Sequence, residues 1–95
     1  MPLSFVETIG HERDAYLFTT KDGSRDVQCA IKHSALEYSL TNRSHVTNAD
    51  RERAFDENRD RIMRIASAKY DVGLKRSSGP LILITFEEYS TRQYP

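Results

Sequence analysis

Cysteine is nearly missing from this chain of 95 residues, which contains Cys29 and no other. An internal disulfide and a cysteine-rich zinc site are therefore excluded. An excess of charge of one sign is missing too, because 14 basic residues balance 14 acidic ones. The chain as a whole thus has no field that would attract nucleic acid or an anionic membrane surface.

Long hydrophobic runs are also missing. The longest apolar run covers residues 81–84, far short of the roughly 20 residues that a membrane-spanning helix needs. At the N-terminus, residues 1–7 lack the basic stretch and long apolar run of a secretory signal. We therefore expect a cytoplasmic protein that folds as a single domain over residues 1–95, with its core between about residues 13 and 89 and frayed ends.

A β-hairpin is the clearest prediction for the N-terminal half. Residues 15–20 are rich in aromatic and β-favouring types, and residues 26–31 place Val27, Cys29 and Ile31 on one face. Between these segments, the Asp22-Gly23 pair provides the positive φ angle that a tight turn requires. The pattern gives little support for a further strand over residues 3–8.

Two helices are predicted in the middle of the chain. Residues 34–40 form a short one, in which Leu36 and Leu40 share a face at i, i+4 spacing. A long one begins near Thr47 or Asn48, both good N-cap residues, and runs to about residue 70 or 71, where Gly73 ends it. At about 100° per residue, its inner apolar stripe consists of Phe55, Ile62, Ile65 and Ala66.

Residues 81–86 form a continuous apolar run of strand length after Pro80. The predicted order is therefore β-β-α-α-β. This is a small α+β domain in which an antiparallel hairpin and a C-terminal strand pack on one long and one short helix as two layers. If the last strand lies at an edge of the sheet, its free backbone groups favour pairing with a second copy. On this basis we expect a homodimer through the sheet.

The helix segment over residues 54–62, Ala-Phe-Asp-Glu-Asn-Arg-Asp-Arg-Ile, resembles a small uncharacterised bacterial family, domain of unknown function 1488. Members of that family carry a Phe-Asp-x-Asn-Arg-x-x-Ile helix, and the similarity extends over roughly residues 13–89. The first strand departs from the family pattern, because residues 16–18 read Tyr-Leu-Phe where members often carry an Arg-Phe-Trp-Gly-like run. The family has no assigned activity, so the resemblance implies a fold and a bacterial protein but no catalytic residue.

Asn58 is the one polar residue in the apolar stripe of the long helix. Its amide is expected to be partly buried and must then find hydrogen-bond partners. The structural interpretation is that it bonds to backbone groups of a neighbouring strand or loop. The functional interpretation is that Asn58 and Arg59 line a small polar pocket between helix and sheet. An enzyme would need such a pocket together with a loop histidine.

Lys75 and Arg76, followed by two serines and Gly79, form the strongest local basic feature. Backbone amides beside two cations are able to contact an anion such as phosphate, but the Gly-Lys-Ser/Thr order of a nucleotide loop is missing. A regulator that contacts nucleic acid through Lys75, Arg76 and exposed helix arginines is an alternative function. Acidic residues alternate with those arginines, which argues against nucleic-acid binding.

Catalytic and metal-binding patterns are not apparent. His11, His33 and His45 lack the i, i+4 spacing of a zinc-hydrolase helix. Cys29 is expected to be a buried thiol, because no sequence neighbour would stabilise a thiolate. We therefore assign no cofactor, metal ligand or catalytic residue. The sequence leaves the function unknown and favours a binding or interaction module without catalytic activity.

Overall fold

The computed structural model describes residues 3–38, 40, 46–73 and 79–90. The predicted α+β class is confirmed, with one strand and two helices more than predicted. None of the described helices is long and apolar enough to cross a membrane. In chain order the elements are β1 (Ser4–Glu12), β2 (Ala15–Asp22), β3 (Arg25–Lys32), α1 (His33–Glu37), α2 (Asn48–Glu57), α3 (Arg59–Asp71), β4 (Ile82–Ile84) and α4 (Phe86–Ser90).

The four strands form one sheet in the order β1-β2-β3-β4. β1, β2 and β3 are antiparallel neighbours, whereas β4 lies parallel to β3 and pairs through three residues. The predicted hairpin is β2–β3: Asp22 pairs with Arg25 across a two-residue turn, and Gly23 has a φ of 64°. Within the described residues β4 is an edge strand, as the dimer hypothesis requires, but it is short.

The first strand, β1, is the element that the sequence pattern did not support. Its register against β2 shifts twice, at Val6 and at Ile9. Each shift inserts an extra residue, so the alternation between the two faces of the sheet is broken there. The period of two is therefore lost from the sequence although the strand is nine residues long.

The long helix predicted up to residue 70 or 71 is in fact two helices, because the helical backbone breaks at Asn58. This residue has φ −112° and ψ 18°, ends α2 and begins α3. Of the two predicted N-cap residues, Thr47 is the one that caps α2, in a capping box with Asp50, and Gly73 with a φ of 78° follows α3. The short helix α1 ends at Glu37, before the predicted residue 40. The predicted inner stripe is confirmed, since it is fully buried: Phe55, Ile62, Ile65 and Ala66.

Helices and sheet meet at an aromatic cluster centred on Phe55. The centroid of its ring lies 5.1 Å from that of Phe18, 5.2 Å from that of Tyr16 and 5.9 Å from that of Phe5. Strands β3 and β4 extend this core with Val27, Cys29, Ile31, Ile82 and Ile84. Because side chains alternate along β2 and β3, the residues between these core positions lie on the opposite face of the sheet.

The last strand ends earlier than predicted, at Ile84, and Phe86 begins the helix α4. The strand gives way to a helix here because Thr85 and Glu88 cap the first turn of α4. Glu88 Oε1 accepts hydrogen bonds from the Thr85 backbone N–H at 3.0 Å and from its hydroxyl at 3.2 Å, which is the start of a capped helix. The buried Lys69 of α3 donates to the same carboxylate at 2.7 Å and thereby fixes α4 against α3.

Candidate functional site

The face of the sheet that points away from the helices is apolar at its centre. Leu17 pairs with Ala30, and Ala30 pairs with Leu83, so these side chains form a strip across three strands with Ala15 beside it. Ala15 and Ala30 are buried, and Leu17 and Leu83 are half-buried. None of the four belongs to the core that the helices cover. In this strip only Leu17 and Leu83 therefore have partly exposed side chains, on a face that the described helices do not cover.

A groove of about 280 Å³ runs over this strip. The four apolar side chains line it, together with Gly79 and Pro80, which precede β4. The turn between β1 and β2 and the side chain of Lys32 complete the lining. The groove therefore combines apolar walls with four charged side chains, which makes it more polar than most small-molecule sites.

The charged groups of the groove fall into one ion pair and two unpaired side chains. Lys32 Nζ lies 2.8 Å from Asp14 Oδ2. This hydrogen bond holds the pKa of Asp14 below its usual value, so the carboxylate is ionised at neutral pH. The side chains of Glu12 and Arg13 make no hydrogen bond or ion pair with any residue that the structure describes. One negative and one positive group thus remain available at the groove.

Arg13 has an unfavourable backbone conformation. Its φ of 58° is the only positive value at a non-glycine residue in the described part of the chain. Residues other than glycine, asparagine and aspartate rarely adopt this left-handed region. Arg13 and Asp14 form a two-residue turn, since Glu12 pairs with Ala15 across it. Strained residues of this kind are concentrated at functional sites.

On the helix side of the same turn, two histidines meet. His11 Nδ1 lies 2.8 Å from His33 Nε2, and His11 Nε2 lies 2.9 Å from Glu52 Oε2. The His11 ring stacks on that of Tyr16, with 4.5 Å between centroids. The backbone N–H of His33 donates to the Asp14 carbonyl at 2.7 Å. The histidine pair is therefore attached directly to the turn that ends the groove.

Among the described residues, no group of three His, Cys, Asp or Glu side chains is arranged to hold a metal ion. Burial, followed by the charges of Arg51 and His11, lowers the pKa of His33, so this ring is neutral at neutral pH. Sequence reasoning missed the contact because 22 residues separate the two histidines and the pairing of β1 was not predicted. His45 lies outside the described residues.

The predicted site residues lie elsewhere. Asn58 Nδ2 donates to the Ala54 carbonyl at 2.9 Å, one turn back in its own helix and not in a neighbouring strand or loop. The guanidinium carbon of Arg59 lies 4.8 Å from the centroid of the Phe5 ring. Neither Asn58 nor Arg59 lines the groove. The predicted anion-contacting residues, 75 and 76, fall outside the described part of the chain.

Cys29 is fully buried on the helix-facing side of β3 together with Val27 and Ile31, as predicted. Burial raises the pKa of its thiol to about 11, because the thiolate would lose its hydration. The group therefore stays protonated at neutral pH and packs as a small core residue.

Comparison with known proteins supports the resemblance of the helix motif. Neither the curated proteins nor the solved structures show a significant match to the chain. A family model described as "Protein of unknown function (DUF1488)" matches residues 4–83, a range that contains every residue lining the groove. The chain therefore belongs to this family of proteins of unknown function.

Proposed function

We propose that this protein is a binding module that takes a small ligand in the groove on the open face of its sheet. The observation that carries the proposal is the apolar strip formed by Leu17, Ala30 and Leu83, which the described helices leave uncovered beside a charged turn. Burial of apolar surface drives association in water, and a few charged groups fix the orientation of a ligand. A molecule with an apolar part and a charged end would match both.

The chemistry of the groove supports binding without catalysis. The described residues that line it include no serine, threonine, cysteine, histidine or tyrosine. Nucleophilic catalysis commonly uses those types. Of the residue types that act as general acids or bases, the described lining has Glu12, Asp14 and Lys32, and Asp14 and Lys32 are paired with each other. Reactive groups elsewhere are engaged: the Cys29 thiol is buried, and His11 is bonded to both His33 and Glu52.

The test is a titration of the isotope-labelled full chain with a panel of amino acids, carboxylates, amines and alcohols, followed by backbone amide resonances. We expect at least one compound to shift the resonances of Leu17, Ala30 and Leu83 together. Leu17→Arg, which puts a charge into the strip, should abolish these shifts. Val6→Arg changes an apolar residue on the β1 edge and should leave them intact. Shifts that persist in Leu17→Arg, or a panel without any response at the groove, would contradict the proposal.

We also propose that the protein forms a homodimer through an edge of its sheet. β1 offers the longer edge, with nine residues against three in β4, and Val6 and Ile9 on it are exposed to 43% and 56%. The bulges at these two residues limit the pairing to the stretches beside them. An edge strand offers unpaired backbone groups to a second copy. Sedimentation velocity over a range of concentrations should show a dimer that the double variant Val6→Lys, Ile9→Lys converts to monomer. A wild-type chain that is monomeric throughout would contradict this.

A bacterial cytoplasmic location is part of the proposal, since the chain's single cysteine is a buried thiol, which suits a reducing compartment.

Nucleic-acid contact through Lys75 and Arg76 stays a prediction. Among the described helix arginines, Arg61 is engaged, because its guanidinium lies over the Tyr89 ring and donates to the Tyr89 carbonyl. Salt-dependent retention on heparin would favour the nucleic-acid alternative.

A further inference from the structure

The two unpaired charges at the groove are of opposite sign and adjacent in the chain. Glu12 pairs directly with Ala15, so its side chain belongs to the same face of the sheet as the apolar strip. Arg13 follows in the turn and lines the same groove. Lys32 and Asp14 already neutralise each other at 2.8 Å. Among the described residues, a ligand in the groove therefore meets one carboxylate and one guanidinium that have no partner.

Arg13 occupies a position that glycine would fill with less strain. In the next turn the first residue has nearly the same φ, 64° against 58°, and that residue is Gly23. A turn selected for folding alone favours glycine or asparagine at a positive φ. The arginine thus indicates a task for its guanidinium, whose planar fork binds a carboxylate through two parallel hydrogen bonds.

The remainder of the groove restricts the size and type of ligand. Its volume of about 280 Å³ lies near the lower end of the range of roughly 300–1,000 Å³ for ligand pockets. A peptide that binds as an added strand can pair next to the strip only along the outer edge of β4, which is three residues long, because β2 and β3 are each paired on both sides. No backbone groups of these two strands are therefore free for strand addition at the strip.

We infer that the groove binds a free α-amino acid with an apolar side chain, the carboxylate at Arg13, the ammonium at Glu12 and the side chain over Leu17. The inference rests on the proposed function, since it requires the groove to be the ligand site. The two charges of a zwitterion match both free groups at once. A simple carboxylate is repelled by Glu12 and a simple amine by Arg13, which gives selectivity between three molecules of the same shape.

The test compares L-leucine with isocaproate, which lacks the ammonium group, and with isoamylamine, which lacks the carboxylate. Each compound is titrated into the isotope-labelled full chain at neutral pH, and dissociation constants are fitted to the amide shifts of Leu17 and Ala30. We expect leucine to bind about tenfold more tightly than either analogue.

Two variants assign the charges. Arg13→Gly removes the guanidinium and suits the backbone of the turn, so we expect leucine to bind about tenfold more weakly and isoamylamine to bind no worse. Glu12→Gln should weaken leucine and isoamylamine while strengthening isocaproate, because the repulsion is removed. Arg25→Gln deletes a charge at the other turn and is the matched control, expected to leave all three affinities unchanged.

Equal binding of the three compounds, or leucine binding that Arg13→Gly leaves intact, overturns the amino-acid inference and leaves the proposed binding groove standing. No response of the groove amides to any of the three also overturns the inference. In that case the titration with the wider panel of compounds decides whether the groove is a binding site.

Discussion

The two hairpin turns of this protein have the same length and nearly the same backbone, yet they differ at their first residue. In the β2–β3 turn that residue is Gly23, with a φ of 64°, and in the β1–β2 turn it is Arg13, with a φ of 58°. A left-handed φ is free for glycine and costs an ordinary residue roughly 1–2 kcal/mol. One turn is therefore built for folding, and the other retains a side chain at the expense of stability.

The surroundings of the two turns explain the difference. A Cβ added at Gly23 would meet no atom within 4 Å, so the glycine is needed only for its backbone freedom. Arg13 lines the groove, where Glu12 is its free counterpart of opposite charge. The strained backbone of Arg13, which no steric need of the turn explains, therefore marks this residue as a candidate for a function.

Gly23→Arg gives the second turn the strain of the first, and it should have the largest effect of the substitutions considered. We expect a loss of about 1–2 kcal/mol in the free energy of unfolding, because the new side chain must adopt a left-handed φ. Gly23→Asn is the control, since asparagine tolerates this region, and it should lose less. Chemical denaturation measures both. An unchanged midpoint in Gly23→Arg would show that the turn relaxes and that the strain at Arg13 is not informative.

Asn58 differs from the first residues of the two turns, because it interrupts a helix at a negative φ. Glycine would therefore have no advantage at this position. Asn58→Ala removes the 2.9 Å hydrogen bond to the Ala54 carbonyl and should lower the free energy of unfolding by about 1 kcal/mol. Asn48→Ala in the exposed first turn of α2 should stay within about 0.5 kcal/mol. Denaturant titration of both variants is the measurement. Equal stability of Asn58→Ala and the wild type would rule out a role for the amide as an anchor.

Arg13→Gly places glycine at the first residue of both turns. Relief of the left-handed strain is partly offset by the greater freedom of glycine in the unfolded chain, so a net gain of about 0.5–1 kcal/mol is expected. Denaturant titration beside Arg13→Asn, which also tolerates the turn, checks the size. A loss of stability would mean that the arginine holds the turn together.

Lowering the pH from about 7 to about 5 should destabilise the protein at the β1–β2 turn and not at the β2–β3 turn. The His33 backbone N–H donates to the Asp14 carbonyl, whereas the Asp22 carboxylate accepts from the Tyr70 hydroxyl at 2.8 Å. Burial lowers the pKa of His33 from its ordinary value of 6.5, and the facing charges act on it in both directions. Those that lower it are Arg51 and His11, and those that raise it are Glu37 and Asp14.

Because the folded pKa of His33 lies below that of the unfolded chain, the unfolded state takes up the proton more readily. Its contribution to stability is present above about pH 6.5 and is lost as the pH falls through the lowered folded value. His33→Gln should therefore lose less stability than the wild type between about pH 7 and pH 5 in denaturant titrations. The same acid dependence in both proteins would contradict a role for this imidazole.

The elements of the fold that could be predicted are those indicated by sequence patterns that span only a few residues. The Asp22-Gly23 pair, the cap at Thr47 and the stripe around Phe55 each depend on neighbours within a few residues, and each was predicted correctly. β1 was supported only weakly because its two bulges destroy the alternation of faces. The helix break at Asn58 was missed because the apolar stripe continues through it with the period of a single helix.

The candidate site was not predictable, because its residues come together only through the register of the sheet. The alternation of Val27, Cys29 and Ile31 puts Ala30 on the opposite face, but nothing in the apolar segment 15–18 tells which face Leu17 occupies. Arg13 shows no turn signal, since arginine is not a typical residue at a positive φ. The location of the candidate site depends on the long-range pairing of strands and on the φ angle of Arg13, and neither can be read from a local sequence pattern.

Thermal unfolding with and without L-leucine tests most directly whether Arg13 serves a ligand and not the turn. A ligand that binds only the folded state raises the melting midpoint. We predict that leucine raises the midpoint of the wild type, and that Arg13→Gly melts higher than the wild type without leucine and gains less from the same leucine concentration. An Arg13→Gly variant that melts lower, or that leucine stabilises as much as the wild type, would contradict this assignment.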